Sequence, residues 1–243
     1  MSTAIAISEL GMINDMRMLD VISNNLANAN TEGFKRDIAV TRSFEQLLSQ
    51  ANGAGPQLIS DRLVPPLSVL SDHSAGVVHQ SRSPLDFAIE GDGYFELSGN
   101  DGAFYSRKGA FHIDATGALV NSQGLTVSGV DGEILLQGGE VTVDRDGTIK
   151  ESGEYVGQIK LVTFDSPEEL ERMGNGLWKA GAQSAKPATE SGVRQGYQEA
   201  SNVKPMDEMV QMMETLRHFE ATSQVIKGYD DIMGTAISTI AEF

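Results

Sequence analysis

The two ends of this 243-residue chain share one pattern, and the stretch between them has another. Residues 1 to about 28 and about 203 to 243 show the apolar spacing of amphipathic helices, whereas the middle alternates short β-rich runs with glycine turns. Helices repeat every 3.6 residues or so and strands every two, so one segment cannot satisfy both patterns. The sequence therefore predicts an α+β fold in which the N- and C-terminal helices pair as a coiled coil, with a central, mainly β domain between them along the chain.

The first helix has an incomplete heptad repeat. Ile5, Met12, Leu19 and Leu26 recur at seven-residue spacing, and Met16 adds an apolar position assigned to the same side. Seven residues make two turns of a helix wound to about 3.5 residues per turn, so these side chains form a line that must meet another helix. Taken alone, the segment fits an ordinary surface helix on a globular core equally well.

The last segment favours the pairing. Its start, residues 201–205, offers polar capping groups and a proline, which are helix start signals. Apolar residues then follow at steps of three and four, with a change of phase after Leu216. The predicted helix covers about 38 residues, or roughly 57 Å, which is longer than most helices of globular proteins. The residues predicted to form assembly contacts are the apolar positions of both helices: Ile5, Met12, Met16, Leu19, Leu26, Met209, Met213, Leu216, Phe219, Ile226, Tyr229, Met233 and Ile240.

Composition restricts the classes of partner. The formal net charge of −16 disfavours nucleic acid and anionic membrane surfaces, since no Lys/Arg cluster is present to displace counterions. The chain has no cysteine, which excludes disulfides and thiolate metal sites. No stretch approaches the roughly 20 apolar residues of a membrane-spanning helix. Because Glu9 and Asp15 follow the apolar start so closely, no cleaved signal peptide is predicted, and the chain is expected to be cytosolic or exported by another route.

Candidate chemical sites fail on spacing. Residues 142–153 resemble a calcium loop, but Thr142 and Gly153 stand where the first and last ligands are required, so a β-turn is the better interpretation. The four histidines show no helical pairing. No lysine follows a glycine loop in the arrangement that binds phosphate. We therefore predict no catalytic residue, no cofactor, no metal and no enzymatic activity.

The middle of the chain reads as successive hairpins. Phe87 to Ile89, the turn Gly91 to Gly93, and Tyr94 to Leu97 form a strand–turn–strand pattern, and further Asp-Gly turns repeat at hairpin intervals. The predicted organisation is an N-terminal helix and motif at 1–36, a connector at 37–70, a β-rich domain at 71–196 and a C-terminal helix at 197–243.

A polar tract, NNLANANTEGFK, ends the first helix. Its asparagines bond local backbone and tolerate left-handed conformations, Gly33 permits a positive φ, and Phe34 can anchor the chain on a neighbouring surface. With the central SRSPLDFAIEGDGYFEL and the C-terminal SNVKPMDEMVQMMETLRHFEATSQVIKGYDD, this tract resembles the signatures of the flagellar axial proteins, the rod and hook subunits. The motif residues are Asn24, Asn25, Leu26, Ala27, Asn28, Asn30, Thr31, Gly33, Phe34, Lys35, Ser201, Asn202 and Val203.

The resemblance implies a structural role. It predicts a rod subunit that stacks helically, with itself and other rod proteins, into the periplasmic shaft that transmits motor torque. The terminal helices would form an inner coiled-coil layer and the β domain an outer one. Export would use the flagellar type III apparatus without a cleaved signal, with no membrane insertion. The central and C-terminal signatures are more similar to the proximal rod class; a distal rod subunit, a hook subunit and a non-enzymatic β-domain ligand-binding protein are the alternatives.

Overall fold

The computed structural model describes residues 2–40, 68–99, 102–181 and 183–241, with side chains from residue 8 to residue 235. Within these residues the chain forms two compact units. The helical unit contains 2–27, 37–40, 68–71 and 204–241, and the β unit contains 28–36 and the described part of 72–203. The chain passes between the units after residues 27, 36, 71 and 203. Most of the predicted connector, residues 41–67, lies outside the described residues.

The helical unit has two long helices. Helix α1 spans Ser2–Ala27 and helix α2 spans Pro205–Ala241, whose 37 residues are close to the length predicted from the stripe. Pro205 occupies the first turn of α2, where its missing N–H costs no hydrogen bond, and Asp207 and Glu208 place negative charge at the positive end of the helix dipole. The predicted arrangement of two terminal helices and a central, mostly β part is confirmed.

A short ribbon completes the helical unit. Strand β1 (Asp37–Val40) pairs antiparallel with β2 (Ser68–Ser71), with Asp37 opposite Ser71. Ser71 Oγ donates to Asp37 Oδ1 at 2.7 Å, which joins the two strands at their end. The ends of the predicted connector are therefore strands.

The β unit is built from short antiparallel strands. They are β3 (Val78–Gln80), β4 (Phe87–Glu90), β5 (Tyr94–Gly99), β6 (Gly102–Ser106), β7 (Phe111–Ile113), β8 (Leu119–Asn121), β9 (Thr126–Val127), β10 (Val141–Val143), β11 (Thr148–Glu151), β12 (Glu154–Gln158), β13 (Leu161–Thr163), β14 (Glu171–Gly174), β15 (Leu177–Lys179), β16 (Lys186–Pro187), β17 (Gly192–Gln195) and β18 (Tyr197–Glu199). The largest sheet has the order β14-β15-β6-β5-β9-β8-β7, with β13 beside β5 and β16 beside β13. Smaller sheets join β10-β11-β12, β17-β4 and β18-β3.

Glycine turns set these hairpins. The segment that resembles a calcium loop forms β10, a turn and β11, as the β-turn interpretation predicted. Gly147 has a φ of +84°, which an L side chain rarely adopts, and Thr148 N donates to Asp146 Oδ1 at 3.0 Å. The aspartate therefore stabilises the turn itself.

Aromatic and branched side chains fill the core of the β unit. Alternate residues of β4, β5 and β8 point inward, and Phe87, Phe95 and Leu119 are completely buried. The Phe95 ring meets the edge of Phe111 at 5.2 Å between centroids. A second cluster surrounds the buried Trp178. Burying one such side chain stabilises a fold by about 1.5–3 kcal/mol, so these clusters give the β unit a core of its own.

Neither described helix has a stretch apolar enough to span a membrane.

Candidate assembly interface

One line of side chains on α2 is covered by α1. Apart from Ser223, the buried and half-buried residues of α2 fall at steps of four and three, which return to the same side of a helix: Glu208, Met212, Thr215, Phe219, Thr222 and Ile226. Across from it, Asp15, Met18, Ile22 and Asn25 of α1 are buried or half-buried. Low positions on α1 meet high positions on α2, because Asp15 contacts His218 whereas Asn25 contacts Glu208. The helices therefore lie antiparallel.

A buried asparagine closes one end of this pair. Asn25 Nδ2 donates to the Asp37 carbonyl oxygen at 2.8 Å and to Glu208 Oε2 at 3.2 Å, and the Asp37 N–H donates to Asn25 Oδ1 at 2.8 Å. Asn25 and Glu208 are each 1% exposed. Since buried polar groups need partners, this arrangement fixes the end of α1 against the start of β1 and the first turn of α2.

A more open polar contact lies farther along the pair. The imidazole Nδ1 of His218 is 2.7 Å from Asp15 Oδ2. The histidine side chain remains two-thirds exposed, whereas the aspartate is mostly covered. This contact ties α1 to the middle of α2 on one side of the covered line.

The predicted assembly residues divide by exposure. Half-buried positions beside or within the covered line are Met12, Leu19, Leu26, Phe219 and Ile226, and exposed positions are Met16, Met209, Met213, Leu216, Tyr229 and Met233. The side chains of Ile5 and Ile240 lie outside the described residues. The role of all these residues in assembly stays a prediction.

Most of the exposed apolar residues of α2 lie on two separate faces, and Val210 and Met233 are exposed outside them. At about 100° per residue, the members of face A lie on one flank of the covered line and in the first half of the helix: Met206, Met209, Met213 and Leu216. The members of face B lie on the other flank and in the second half: Val225, Tyr229 and Ile232. Met206 is 73% exposed and Ile232 66%. Val225 and Ile232 were not among the predicted residues because they lie outside the three–four stripe.

The second half of the N-terminal motif, from Asn28 onward, belongs to the β unit and begins with a turn. The Thr31 N–H donates to the Asn28 carbonyl oxygen at 3.0 Å, and Thr31 Oγ1 donates to Asn28 Oδ1 at 3.2 Å. Gly33 follows with a φ of +65°, and a Cβ there would lie 2.8 Å from the backbone of Lys108. The Gly33 N–H donates to the Glu199 carbonyl oxygen at 2.7 Å, so glycine satisfies both the conformation and the close approach. Of the other motif residues, Asn24, Ala27 and Asn30 are exposed.

Phe34 anchors this segment, as the sequence indicated. Its ring is buried, and the Arg172 guanidinium lies over it at 5.0 Å and over the Trp178 ring at the same distance. Arg172 Nη2 also donates to the Lys35 carbonyl oxygen at 2.6 Å. A cation stacked between two rings and bonded to the backbone holds the motif against β14 and β15.

Lys35 belongs to a buried charge cluster. Its Nζ donates to Glu199 Oε1 at 2.5 Å and to the Ser74 carbonyl oxygen at 2.7 Å. The Gly76 N–H donates to the same carboxylate at 2.8 Å, and Arg107 Nη1 lies 3.7 Å from Glu199 Oε2. Burial lowers the pKa of Lys35, an effect that the Glu199 carboxylate opposes. Sequence reasoning identified Lys35 but missed Glu199 and Arg107, because no local periodicity connects such distant positions.

The two ends of the family motif meet at Asn202. Its Oδ1 accepts from the Arg36 N–H at 2.7 Å, and its Nδ2 donates to the Asp72 and Ser74 carbonyl oxygens at 2.8 and 3.2 Å. The two residues that flank Asn202 are bonded to each other, because Ser201 Oγ accepts from the N–H of the buried Val203 at 3.2 Å. One amide thus joins three chain segments.

A histidine lies beside this cluster. His73 Nδ1 is 2.6 Å from the Tyr94 hydroxyl, and its ring centroid is 4.6 Å from that of Trp178. Burial, together with the positive charges of Lys35 and Arg172, lowers the pKa of His73 to about 4. Burial also raises the pKa of Tyr94. The imidazole is therefore neutral at neutral pH.

Three family models match this chain in order along its length. "Flagella basal body rod protein" matches residues 6–35, "Flagellar hook protein FlgE/F/G D1 domain" matches 88–151, and "Flagellar basal body rod FlgEFG protein C-terminal" matches 194–239. The first and last cover most of α1 and α2, and the second covers β4 to β11.

Individual relatives span nearly the whole chain. The flagellar basal-body rod protein FlgG of Bacillus subtilis is 31% identical over 253 residues, covering 92% of this chain and 93% of its own length. FlgF of Caulobacter vibrioides is 30% identical over 231 residues and covers 93% of each chain. FlgF of Mesorhizobium japonicum is 31% identical over 231 residues and covers 92% of each. The chain therefore belongs to the family of flagellar basal-body rod proteins and is a structural subunit of the bacterial flagellar rod.

Proposed function

We propose that this subunit assembles helically, with copies of itself and with other rod proteins, into the periplasmic shaft that transmits motor torque. The observation that supports this most directly is the placement of faces A and B. They lie on opposite flanks and in opposite halves of α2, so a neighbour that packs against one flank leaves the face on the other flank exposed for a further copy. Two different apolar faces that join head to tail produce an open helical array unless the rotation closes a ring.

The helical unit suits an inner layer of such an array. Its covered line alternates steps of four and three, which is the spacing of a coiled coil, and we propose that α1 and α2 wind around each other in this way. Face A contains three methionines, whose unbranched side chains adapt to neighbours of different shape. Packing among several slightly different neighbours favours such a surface.

We assign the chain to the FlgF type, the proximal rod class. The FlgF and FlgG relatives have nearly equal identity, but the two kinds of alignment differ in length. The alignment with Caulobacter FlgF needs 231 positions to cover 93% of this chain, whereas that with Bacillus FlgG needs 253 positions to cover 92%. The FlgG relative therefore carries insertions that this chain lacks. A distal rod subunit is the alternative.

We further propose that the flagellar type III apparatus exports the chain without cleavage of a signal peptide. Family membership and the early acidic residues Glu9 and Asp15 support this route. Loss of the intact chain from the periplasm in an export-deficient strain is the expected result; a periplasmic chain that begins after a cleavage site would contradict it.

The assembly proposal is tested by charging each face separately. Met213→Asp and Ile232→Asp place a carboxylate on side chains that are exposed in the monomer, so each variant should fold normally yet be absent from isolated basal bodies and fail to swim. Gln224→Asp, at another exposed position of α2, is the matched control and should assemble. Normal incorporation of both face variants would refute the proposal.

The pairing of the helices needs a separate test. Leu19→Asp or Ile226→Asp introduces a charge into the half-buried contact between α1 and α2. We expect each to block assembly and motility while the β unit remains folded. Normal swimming by both would contradict the proposed pairing of α1 and α2.

A further inference from the structure

The β unit is entered and left by the chain at places that are bonded to one another. Three segments are involved, residues 28–36, 72–80 and 197–203, and we call them together the clamp. Residues 28, 36, 72 and 203 are the points at which the chain crosses to the helical unit. All force that the covalent chain delivers to the β unit therefore arrives within the clamp.

Two of the clamp segments, residues 28–36 and residues 197–203, run parallel. The Gly33 N–H donates to the Glu199 carbonyl oxygen at 2.7 Å, and the Asn202 N–H donates to the Phe34 carbonyl oxygen at 3.3 Å. The residue numbers of the two segments therefore increase in the same direction. Since the chain enters the first segment at residue 28 and leaves the second at residue 203, tension between these points pulls them in opposite directions along their common axis.

Side-chain and backbone bonds join residues 72–80 to both of these segments. Lys35 and Asn202 each bond the Ser74 carbonyl oxygen, and the Asp72 N–H donates to the Arg36 carbonyl oxygen at 2.8 Å. The Ala200 N–H donates to the Val77 carbonyl oxygen at 2.8 Å. These bonds join all three segments into one network.

The centre of the clamp is also tightly packed and buried. A Cβ at Gly76 would lie only 1.9 Å from the Ala200 carbonyl oxygen, so no larger side chain fits between these segments. The Lys35 side chain is completely covered, and its bond to Glu199 is shielded from water. Shielded charge-assisted bonds are stronger than exposed ones, because water cannot replace them as they break.

We propose that the clamp is the mechanical element that resists tension between the point where the chain enters the β unit, at residue 28, and the point where it leaves, at residue 203, with Lys35, Glu199 and Asn202 as its positioning residues. Because the parallel segments are loaded in shear, their bonds must fail together. Strands loaded at one end would instead separate bond by bond. The inference rests on the proposed torque-transmitting role for its biological meaning, but the resistance itself belongs to the isolated subunit.

The test is single-molecule unfolding of the full chain at constant force. The chain contains no cysteine, so Ala27→Cys and Lys204→Cys, both at exposed positions, provide defined attachment points on either side of the clamp. Asn202→Ala removes the amide bonds of the clamp. Asn121→Ala is the matched control, since Asn121 Oδ1 accepts from the Gln123 and Leu125 N–H groups in a turn away from the path of the force.

We expect Asn202→Ala to unfold under force at least about tenfold faster than Asn121→Ala, although both lose side chain–backbone bonds in the same unit. Lys35→Met should behave like Asn202→Ala and serves if that variant does not fold. Equal acceleration by clamp and control variants would overturn the proposal. That result would leave assembly untouched, because incorporation into basal bodies is measured separately.

Discussion

The charge cluster around Glu199 predicts a marked asymmetry between two substitutions. One carboxylate faces two cations, and the side chains of Lys35, Glu199 and Arg107 are exposed by 0%, 1% and 2%. Glu199→Gln removes the negative charge and leaves both cations buried. Lys35→Met removes one cation and leaves a balanced pair of Arg107 and Glu199.

The magnitudes follow from burial. Removing one partner of a buried ion pair costs about 3–5 kcal/mol, because the remaining charge is left uncompensated, and Glu199→Gln should lie at the upper end of this range. Lys35→Met loses the Nζ bonds to Glu199 and Ser74, keeps most of the side chain volume and should cost about 1–2 kcal/mol. The double variant should be less destabilised than the sum of the two, since Lys35 no longer needs a counter-charge.

The assay is urea unfolding of the full chain, followed by tryptophan fluorescence. Trp178 is the only tryptophan and is buried in the β unit, so its signal reports that unit. The free energy of unfolding is obtained by linear extrapolation to water. If Lys35→Met destabilises the β unit as much as Glu199→Gln does, the charge-balance reasoning is refuted.

Three further predictions follow from the same contacts. Gly33→Ala should cost about 2 kcal/mol or more, through its φ of +65° and the contact with Lys108, whereas Gly124→Ala, at +77° in open space, should cost only about 1 kcal/mol; equal losses in urea would contradict this. The pKa of His73 is lowered to about 4 in the folded protein, so as pH falls the unfolded chain binds a proton at this residue before the folded protein does. The stability of the β unit should therefore fall by about 3 kcal/mol as pH drops from 6.5 towards 4. His73→Gln should flatten this decline, and an unchanged slope would exclude His73 as its source. Asn25→Ala should lower the stability of the helical unit by about 2 kcal/mol, seen in helical circular dichroism, while the tryptophan transition stays in place; a shift of both transitions would argue against a local role.

Local periodicity was sufficient for the elements of this fold. A stripe of steps three and four depends only on neighbours within a few residues, and it predicted both helices and nearly the full length of α2. The turn around Gly147 was likewise evident from its Asp-Gly pair. The order of strands in the sheets was not predictable, because it depends on pairings between distant segments.

The covered line on α2 shows a second limit. Apolar spacing indicated a change of phase after Leu216, but in the structure the covered line continues through Thr215 and Met212 to Glu208. Glu208 can be buried because Asn25 donates to its carboxylate, and hydropathy cannot reveal a polar residue whose partner lies on another helix.

The motif itself was only partly interpretable. Gly33 and Phe34 have intrinsic properties that suggested a turn and an anchor, and both are found. The role of Lys35 depends on Glu199, which is 164 positions away, so no sequence pattern could have supplied it.

The central claim, head-to-tail assembly through faces A and B, is tested most directly by cysteine cross-linking in intact basal bodies. A subunit that carries both Met213→Cys and Ile232→Cys should give a ladder of cross-linked copies on oxidation, and neither single variant should form dimers. Dimers from either single variant would show a symmetric contact, and together with the absence of a ladder they would contradict the account.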